Sequence, residues 1–191
     1  NNSIIKNGAV VFNDKIEEIN TLSNIEKKYP NIEIEKLPEN SVLMPGLINS
    51  HVHLEFSGNT TTLKYGNFYS WLTSVIKHRE DLITMANTQL ILSKLNKMKR
   101  TGTTTIGAIS SYSYDLDACV KSPLNKVFFC EVIGSKGDMI DTLFADFKDR
   151  LNIARKHKAA NFIPAIAIHS PYSVHPFLVR ETLKLAREEN L

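Results

Sequence analysis

Residues 42–57, VLMPGLINSHVHLEFS, contain a Pro-Gly turn, a short apolar run and two histidines. His51 and His53 are separated by one residue. Alternate side chains of a β-strand point to the same face, so both imidazoles can reach one metal ion. Imidazole is a common ligand of zinc and related ions, and two imidazoles supply half of a four-coordinate site. The stretch therefore predicts a metal-binding strand end, and two unrelated histidines at a strand end are the alternative.

The composition is typical of an ordinary globular protein, with 42% hydrophobic and 23% charged residues among 191. No apolar run approaches the roughly 20 residues that span a bilayer, and the chain does not begin like a signal peptide. Two cysteines distant in sequence fit reduced thiols. We therefore expect a cytoplasmic protein with no membrane partner. The net charge of +3 is small, and basic residues cluster at predicted helix ends, so no nucleic-acid partner is expected either.

The order of elements predicts an α/β fold. Short strands are predicted between Ile4 and Ile19 and at Ile32–Glu35, around a helix at Leu22–Tyr29. From Gly46 onward strand and helix patterns alternate four times, which predicts a parallel sheet. The predicted strands are Gly46–His51, Thr103–Ile109, Lys126–Ile133 and Phe162–Ile168, and the longer predicted helices are Phe68–His78, Asp81–Lys99, Ile140–Ala154 and one that begins near Pro176.

Two motifs carry a resemblance to a known family. PGLINSHVH at residues 45–53 resembles the first-strand signature of the amidohydrolase superfamily, in its cytosine deaminase and chlorohydrolase-like branch. AIAIHSPYSV at residues 165–174 resembles the fourth-strand His-Ala/Ser-Pro-Tyr segment of the same branch. Residues 65–72 and 121–131 are similar to the 6-aminodeoxyfutalosine deaminases of an alternative menaquinone pathway.

The resemblance implies a (β/α)8 TIM-like metallo-hydrolase barrel, of which this chain would hold about four β/α units. A complete barrel takes about 250 residues, so we expect the N-terminal half. Residues 1–45 would form a β segment of a composite β-sandwich, and residues 46–191 the first half of the barrel.

The resemblance also implies the chemistry, which is hydrolytic deamination of an amino-substituted, purine nucleoside-like small molecule. One divalent metal ion, zinc before iron, is expected on His51 and His53. His169 is implied as a substrate contact. Glu55 would accept a hydrogen bond from the substrate if the extended geometry continues past His53. Trp71 would either stack on the substrate or serve as a core or lid aromatic.

Other residues bear on the metal and on the site. Binuclear members of the superfamily use a carbamylated lysine at the end of strand four, and Phe162–His169 contains no lysine, so one metal is expected. Glu131 is interpreted as a satisfied strand-end charge, with a site near the barrel lumen as the alternative. The remaining histidines are interpreted as surface residues: His78, His157 and His175.

In the resembled family the proton-shuttle glutamate and the other metal ligands follow strands five to eight. No catalytic residue is therefore assigned within this chain, and the 191 residues alone are expected to bind metal weakly and to be inactive. One alternative is another enzyme of the branch, such as a chlorohydrolase or a guanine, cytosine or adenosylhomocysteine deaminase. Another is a non-catalytic half-barrel that forms a homo-oligomer through its unpaired strand edges.

Overall fold

The computed structural model describes residues 3–191. The chain divides into two compact units between Met44 and Pro45.

The first unit is a β-hairpin followed by a short helix. Strands β1 (Gly8–Phe12) and β2 (Ile16–Thr21) pair antiparallel, and helix α1 spans Leu22–Lys28. Val11 and Ile25 are its buried apolar residues. The predicted strand at Ile32–Glu35 is wrong, because these residues have an alternating pattern but no neighbouring strand to pair with. A composite β-sandwich stays a prediction.

The second unit contains a four-stranded parallel sheet in the order β3-β4-β5-β6. The predicted α/β fold is confirmed, and the sheet is open, with β3 and β6 as its edges. The strands are β3 (Leu47–Val52), β4 (Thr103–Ser110), β5 (Asn125–Val132) and β6 (Phe162–Ile168). The helices are α2 (Phe68–Met85), α3 (Thr88–Arg100), α4 (Leu116–Lys121), α5 (Ile140–Arg155) and α6 (Pro176–Glu188), with 3-10 turns at Leu54–Phe56 and Gly137–Met139.

The break between α2 and α3 lies further along the chain than the sequence predicted. The Asn87 side chain accepts a hydrogen bond from the Leu90 N–H at 2.9 Å and so caps the start of α3. The expected break before Asp81 is therefore wrong, since α2 continues to Met85.

The core lies between the sheet and its helices. Phe128, Cys130 and Val132 alternate along β5 and are buried with residues of α3 and α5, while Glu131 belongs to the opposite face. Strands β3 and β4 approach closely at Gly107, where a Cβ atom would overlap the Ser50 carbonyl oxygen. Among residues 3–191, no helix combines the length and apolar character that a membrane crossing requires.

Candidate metal and substrate site

Polar side chains gather where the four parallel strands end. His53 follows β3, Ser111 follows β4, Glu131 is the penultimate residue of β5, and His169 follows β6. Because the strands are parallel, these carboxyl ends lie along one edge of the sheet. In (β/α)8 barrels this edge carries the active site.

The two predicted metal ligands are held close together. The Nε2 atoms of His51 and His53 are 3.1 Å apart, and their ring centroids are separated by 5.0 Å. Two nitrogens that bind one zinc ion at about 2.0–2.1 Å in tetrahedral geometry lie about 3.3 Å apart. The spacing therefore fits two ligands of a single ion. Ligation itself stays a prediction.

The surroundings of His53 favour a neutral imidazole, which is the form that binds metals. Burial lowers the pKa of His53, His51 and His169 lower it further, and the negative charge of Glu131 opposes them. The Nδ1 atom of His53 is buried and has no hydrogen-bond partner. The lowered pKa therefore keeps the ring neutral, with a lone pair available, to lower pH than an ordinary imidazole.

The two histidines supply only part of a coordination sphere. Within the part of the chain that the structure describes, no group of three His, Cys, Asp or Glu side chains is arranged to hold an ion. A structural or catalytic zinc site uses at least three protein ligands. A zinc ion bound by this pair would therefore need further ligands from outside these residues.

His169 is oriented by hydrogen bonds at the end of β6. Its backbone N–H donates to the Val132 carbonyl oxygen at 3.1 Å, and its Nδ1 lies 2.5 Å from the Ser173 Oγ. The Ser173 hydroxyl donates to the Ser170 carbonyl oxygen at 2.8 Å, so its oxygen is left to accept. Nδ1 of His169 therefore carries the proton, and in the neutral ring Nε2 is free to accept a hydrogen bond.

Glu55 is placed differently from the expectation of a substrate contact. After His53 the chain turns into the 3-10 turn Leu54–Phe56, so the extended geometry does not continue. The Glu55 side chain is fully buried, and its carboxylate accepts backbone N–H groups of Ser111, Tyr112 and Tyr114 at 2.8, 2.9 and 3.2 Å. The Glu55 side chain therefore has no exposed surface that a substrate could contact.

Trp71 lies in the first turn of α2. Its ring is partly exposed and contacts Phe68, with centroids 5.9 Å apart. A lid aromatic and a substrate-stacking aromatic both fit this position, and stacking on the substrate stays a prediction.

Sequence reasoning named Glu131 but missed its partner Ser111 and the buried Arg150 behind this edge. The Glu131 carboxylate accepts the Ser111 hydroxyl at 2.6 Å, so it is a satisfied strand-end charge that also influences the pKa of His53. Arg150 on α5 is buried and donates to backbone carbonyl oxygens at the ends of β4 and β5. The only sequence signal for Arg150 was a charge on the inner side of an amphipathic helix.

Comparison with known proteins decides the family. Residues 42–191 match the amidohydrolase family. The chain belongs to the amidohydrolase family. Members of this family use a divalent metal ion.

Three similar proteins illustrate the relationship. The chain is 49% identical over 186 residues to an aminodeoxyfutalosine deaminase of a Nitratiruptor species, and the match covers 97% of this chain and 46% of that protein. The crystal structure of Helicobacter pylori aminofutalosine deaminase in complex with methylthio-coformycin superposes with a TM-score of 0.88 at 30% identity, over 98% of this chain and 45% of that one. Atrazine chlorohydrolase from Arthrobacter aurescens, crystallised with zinc, shares the fold at 16% identity, with a TM-score of 0.67 over 96% of this chain and 47% of that one.

These matches place the open sheet in the N-terminal part of an amidohydrolase barrel. The chain spans about half the length of the relatives it matches, since 46% and 45% of their chains are covered.

Proposed function

We propose that this chain is the N-terminal half of a metal-dependent deaminase that acts on 6-aminodeoxyfutalosine. The observation that carries the proposal is the pair of Nε2 atoms, 3.1 Å apart at the end of the first barrel strand. The substrate is proposed from the 49% identity to an aminodeoxyfutalosine deaminase. A role in menaquinone biosynthesis follows from that substrate, and the cytoplasmic location expected from the sequence stays a prediction.

In this proposal His51 and His53 hold one divalent ion, zinc first and iron second. A bound ion of this kind supplies a hydroxide at neutral pH by lowering the pKa of a water ligand. The chain's own contribution is positional. His169 presents an unprotonated Nε2 that accepts a hydrogen bond from the amino group of the ring, and Ser173 fixes that tautomer.

The proton shuttle and the remaining ligands are assigned to the other half of the barrel. The described residues provide two histidines at the site and no third ligand. We therefore expect these 191 residues alone to bind metal weakly and to release no ammonia.

The experiment measures ammonia release from 6-aminodeoxyfutalosine and from adenosine, by the whole protein and by this chain, with metal content determined for each. We expect turnover of 6-aminodeoxyfutalosine by the whole protein with about one metal per chain, in the manner of mononuclear hydrolases, and none by this chain alone. Methylthio-coformycin, which binds the Helicobacter pylori relative, should inhibit it. A preference for adenosine would overturn the substrate, and turnover by this chain alone would overturn the account of the site.

The open sheet edges favour a second candidate, a self-associating half-barrel. Ile48 on β3 is 70% exposed and Ile163 on β6 is 50% exposed, and each belongs to an edge strand. Unpaired apolar edges favour pairing with another strand. Light scattering of this chain would separate the candidates, because a monomer excludes the second one.

A further inference from the structure

The segment Ser111–Tyr114, which follows β4, is held by two carboxylates, one from the 3-10 turn after β3 and one from β5. Glu55 accepts the backbone N–H groups of Ser111, Tyr112 and Tyr114 at 2.8, 2.9 and 3.2 Å. Glu131 accepts the Ser111 hydroxyl at 2.6 Å. Because β4 lies between β3 and β5 in the sheet, the two carboxylates hold the segment from both sides.

The Glu55 carboxylate is the main anchor of this segment. Its side chain is fully buried, and three backbone donors converge on its two oxygens. Hydrogen bonds to an ionised acceptor are stronger than neutral ones, and loss of the acceptor would leave these donors without a partner. The anchor is therefore specific to a carboxylate at this position.

The backbone of the segment depends on such an anchor. Ser113 has a φ angle of 64°, in the left-handed region that non-glycine residues rarely adopt. Its N–H donates to the Ser110 hydroxyl at 3.1 Å. Residues hold this conformation where the surrounding contacts over-determine it. The Glu55 contacts on both sides of Ser113 provide that constraint.

The segment carries two aromatic rings at the end of the sheet where the site histidines lie. The rings of Tyr112 and Tyr114 stack with centroids 6.1 Å apart and an interplanar angle of 25°. The Arg79 guanidinium lies 5.9 Å from the Tyr112 ring, and Tyr114 is 59% exposed. Because the segment follows β4, the pair lies at the same end of the sheet as His53 and His169.

We propose that Glu55 is a positioning residue that sets the Tyr112–Tyr114 pair as an aromatic wall for the planar ring of the substrate. The inference rests on the proposed function, because it assigns the pair to the binding of that substrate. Aromatic rings pair with planar groups in offset or edge geometries, and a preset pair offers this contact without further ordering. Glu55 acts through the segment and does not touch the substrate itself.

The first test is amide hydrogen exchange in the whole protein without substrate, comparing the wild type with Glu55→Gln. The amide variant keeps the size of the side chain and loses its charge. We expect exchange at Ser111, Tyr112 and Tyr114 to become at least about tenfold faster, with metal content unchanged. Glu26→Gln, the same change at an exposed helix position, is the control and should leave these amides protected.

The second test is a set of kinetic measurements on the whole protein. Tyr114→Ala should raise KM for 6-aminodeoxyfutalosine about 5- to 10-fold with little change in kcat, and Tyr114→Phe should restore it. Glu55→Gln should raise KM to a similar extent. If Glu55 acts through the aromatic pair, the double variant E55Q/Y114A should be no worse than the stronger single variant.

The outcomes separate this inference from the proposed function. Unchanged amide exchange in Glu55→Gln, or an unchanged KM in both single variants, overturns the inference. Loss of metal in Glu55→Gln also overturns it, because the carboxylate would then support His53 and not the segment. Failure of the whole protein to deaminate any substrate overturns the proposed function, and the exchange experiment still decides whether Glu55 positions the segment.

Discussion

Arg150 on α5 donates from Nη2 to the backbone carbonyl oxygen of Glu131 at 3.0 Å, and so connects the helix to the end of β5. Its Nη1 donates to the Ser110 carbonyl oxygen at 3.4 Å, and its Nε pairs with Asp146 at 2.8 Å. The side chain is almost entirely buried. One guanidinium therefore connects α5 to the ends of two adjacent strands.

Replacement of Arg150 by Ala should lower the free energy of unfolding by about 2–3 kcal/mol, because charged donors are lost and the carbonyl oxygens of Ser110 and Glu131 are left buried without them. Arg150→Lys should give an intermediate loss, since one ammonium cannot reproduce the planar set of donors. Thermal unfolding of the whole protein measures both. Arg187→Ala, at an exposed position on α6, is the control, and an equal effect of the two Ala variants would contradict the role of Arg150.

His51→Ala and His53→Ala should each reduce the metal content of the whole protein to background, because each removes one of two nitrogens 3.1 Å apart. Metal analysis after gel filtration is the measurement. His157→Ala is the matched control, since His157 is exposed beyond α5 at the opposite end of the sheet. A normal metal content in either site variant would show that the pair does not ligate the ion.

The sequence predicted those parts of the fold and site that depend on local pattern. The strand Phe162–Ile168 was predicted with its observed bounds, since an apolar run between polar residues marks a buried strand. The closeness of the His51 and His53 side chains was predicted because alternation along extended backbone places them on one side. These features need only neighbours in the sequence.

The features that were not predicted depend on partners that are distant in the sequence. Glu55 and Ser111 are separated by 56 positions in the chain, and no spacing rule connects them. Alternation suggested that Glu55 would follow His53 to the same side, but the turn at Leu54–Phe56 ends the strand geometry first. The cap at Asn87 was different, because Asn followed by helix formers is a local signal that could have been read.

Ser173→Ala should lower kcat/KM about 10-fold, because it removes the acceptor that keeps the proton of His169 on Nδ1. The free ring would then populate the other tautomer, whose Nε2 carries a proton and cannot accept a hydrogen bond. Ser173→Thr retains the hydroxyl and should recover most of the activity. The pH dependence of kcat/KM is measured for all three proteins. An unchanged Ser173→Ala profile would mean that Ser173 does not set the tautomer.

Asp115 lies near Ser110 and Glu55, and its titration is expected to make the stability of the fold depend on pH. It is fully buried, its Oδ1 accepts the Ser110 hydroxyl at 2.6 Å, and its Oδ2 has no partner. Burial, followed by the negative charge of Glu55, raises the pKa of Asp115 to about 7. In the unfolded chain an aspartate has a pKa of about 3.9. At pH values between these two pKa values, Asp115 keeps its proton in the folded protein and has lost it in the unfolded chain.

The stability of the wild type should therefore fall as pH rises from about 4 to about 7, and Asp115→Asn should abolish this fall. In that window folding of the wild type takes up a proton, so its stability relative to the variant falls by up to about 1.4 kcal/mol per pH unit. Above about pH 7 both states are ionised and the difference stays constant. The measurement is denaturant unfolding of the whole protein at about pH 5, 6, 7 and 8. Steps of about one pH unit resolve the slope of the free energy of unfolding against pH. Asp117→Asn, on the exposed side of α4, is the control. If the difference in the free energy of unfolding between the wild type and Asp115→Asn did not vary with pH, Asp115 would not be the group that titrates.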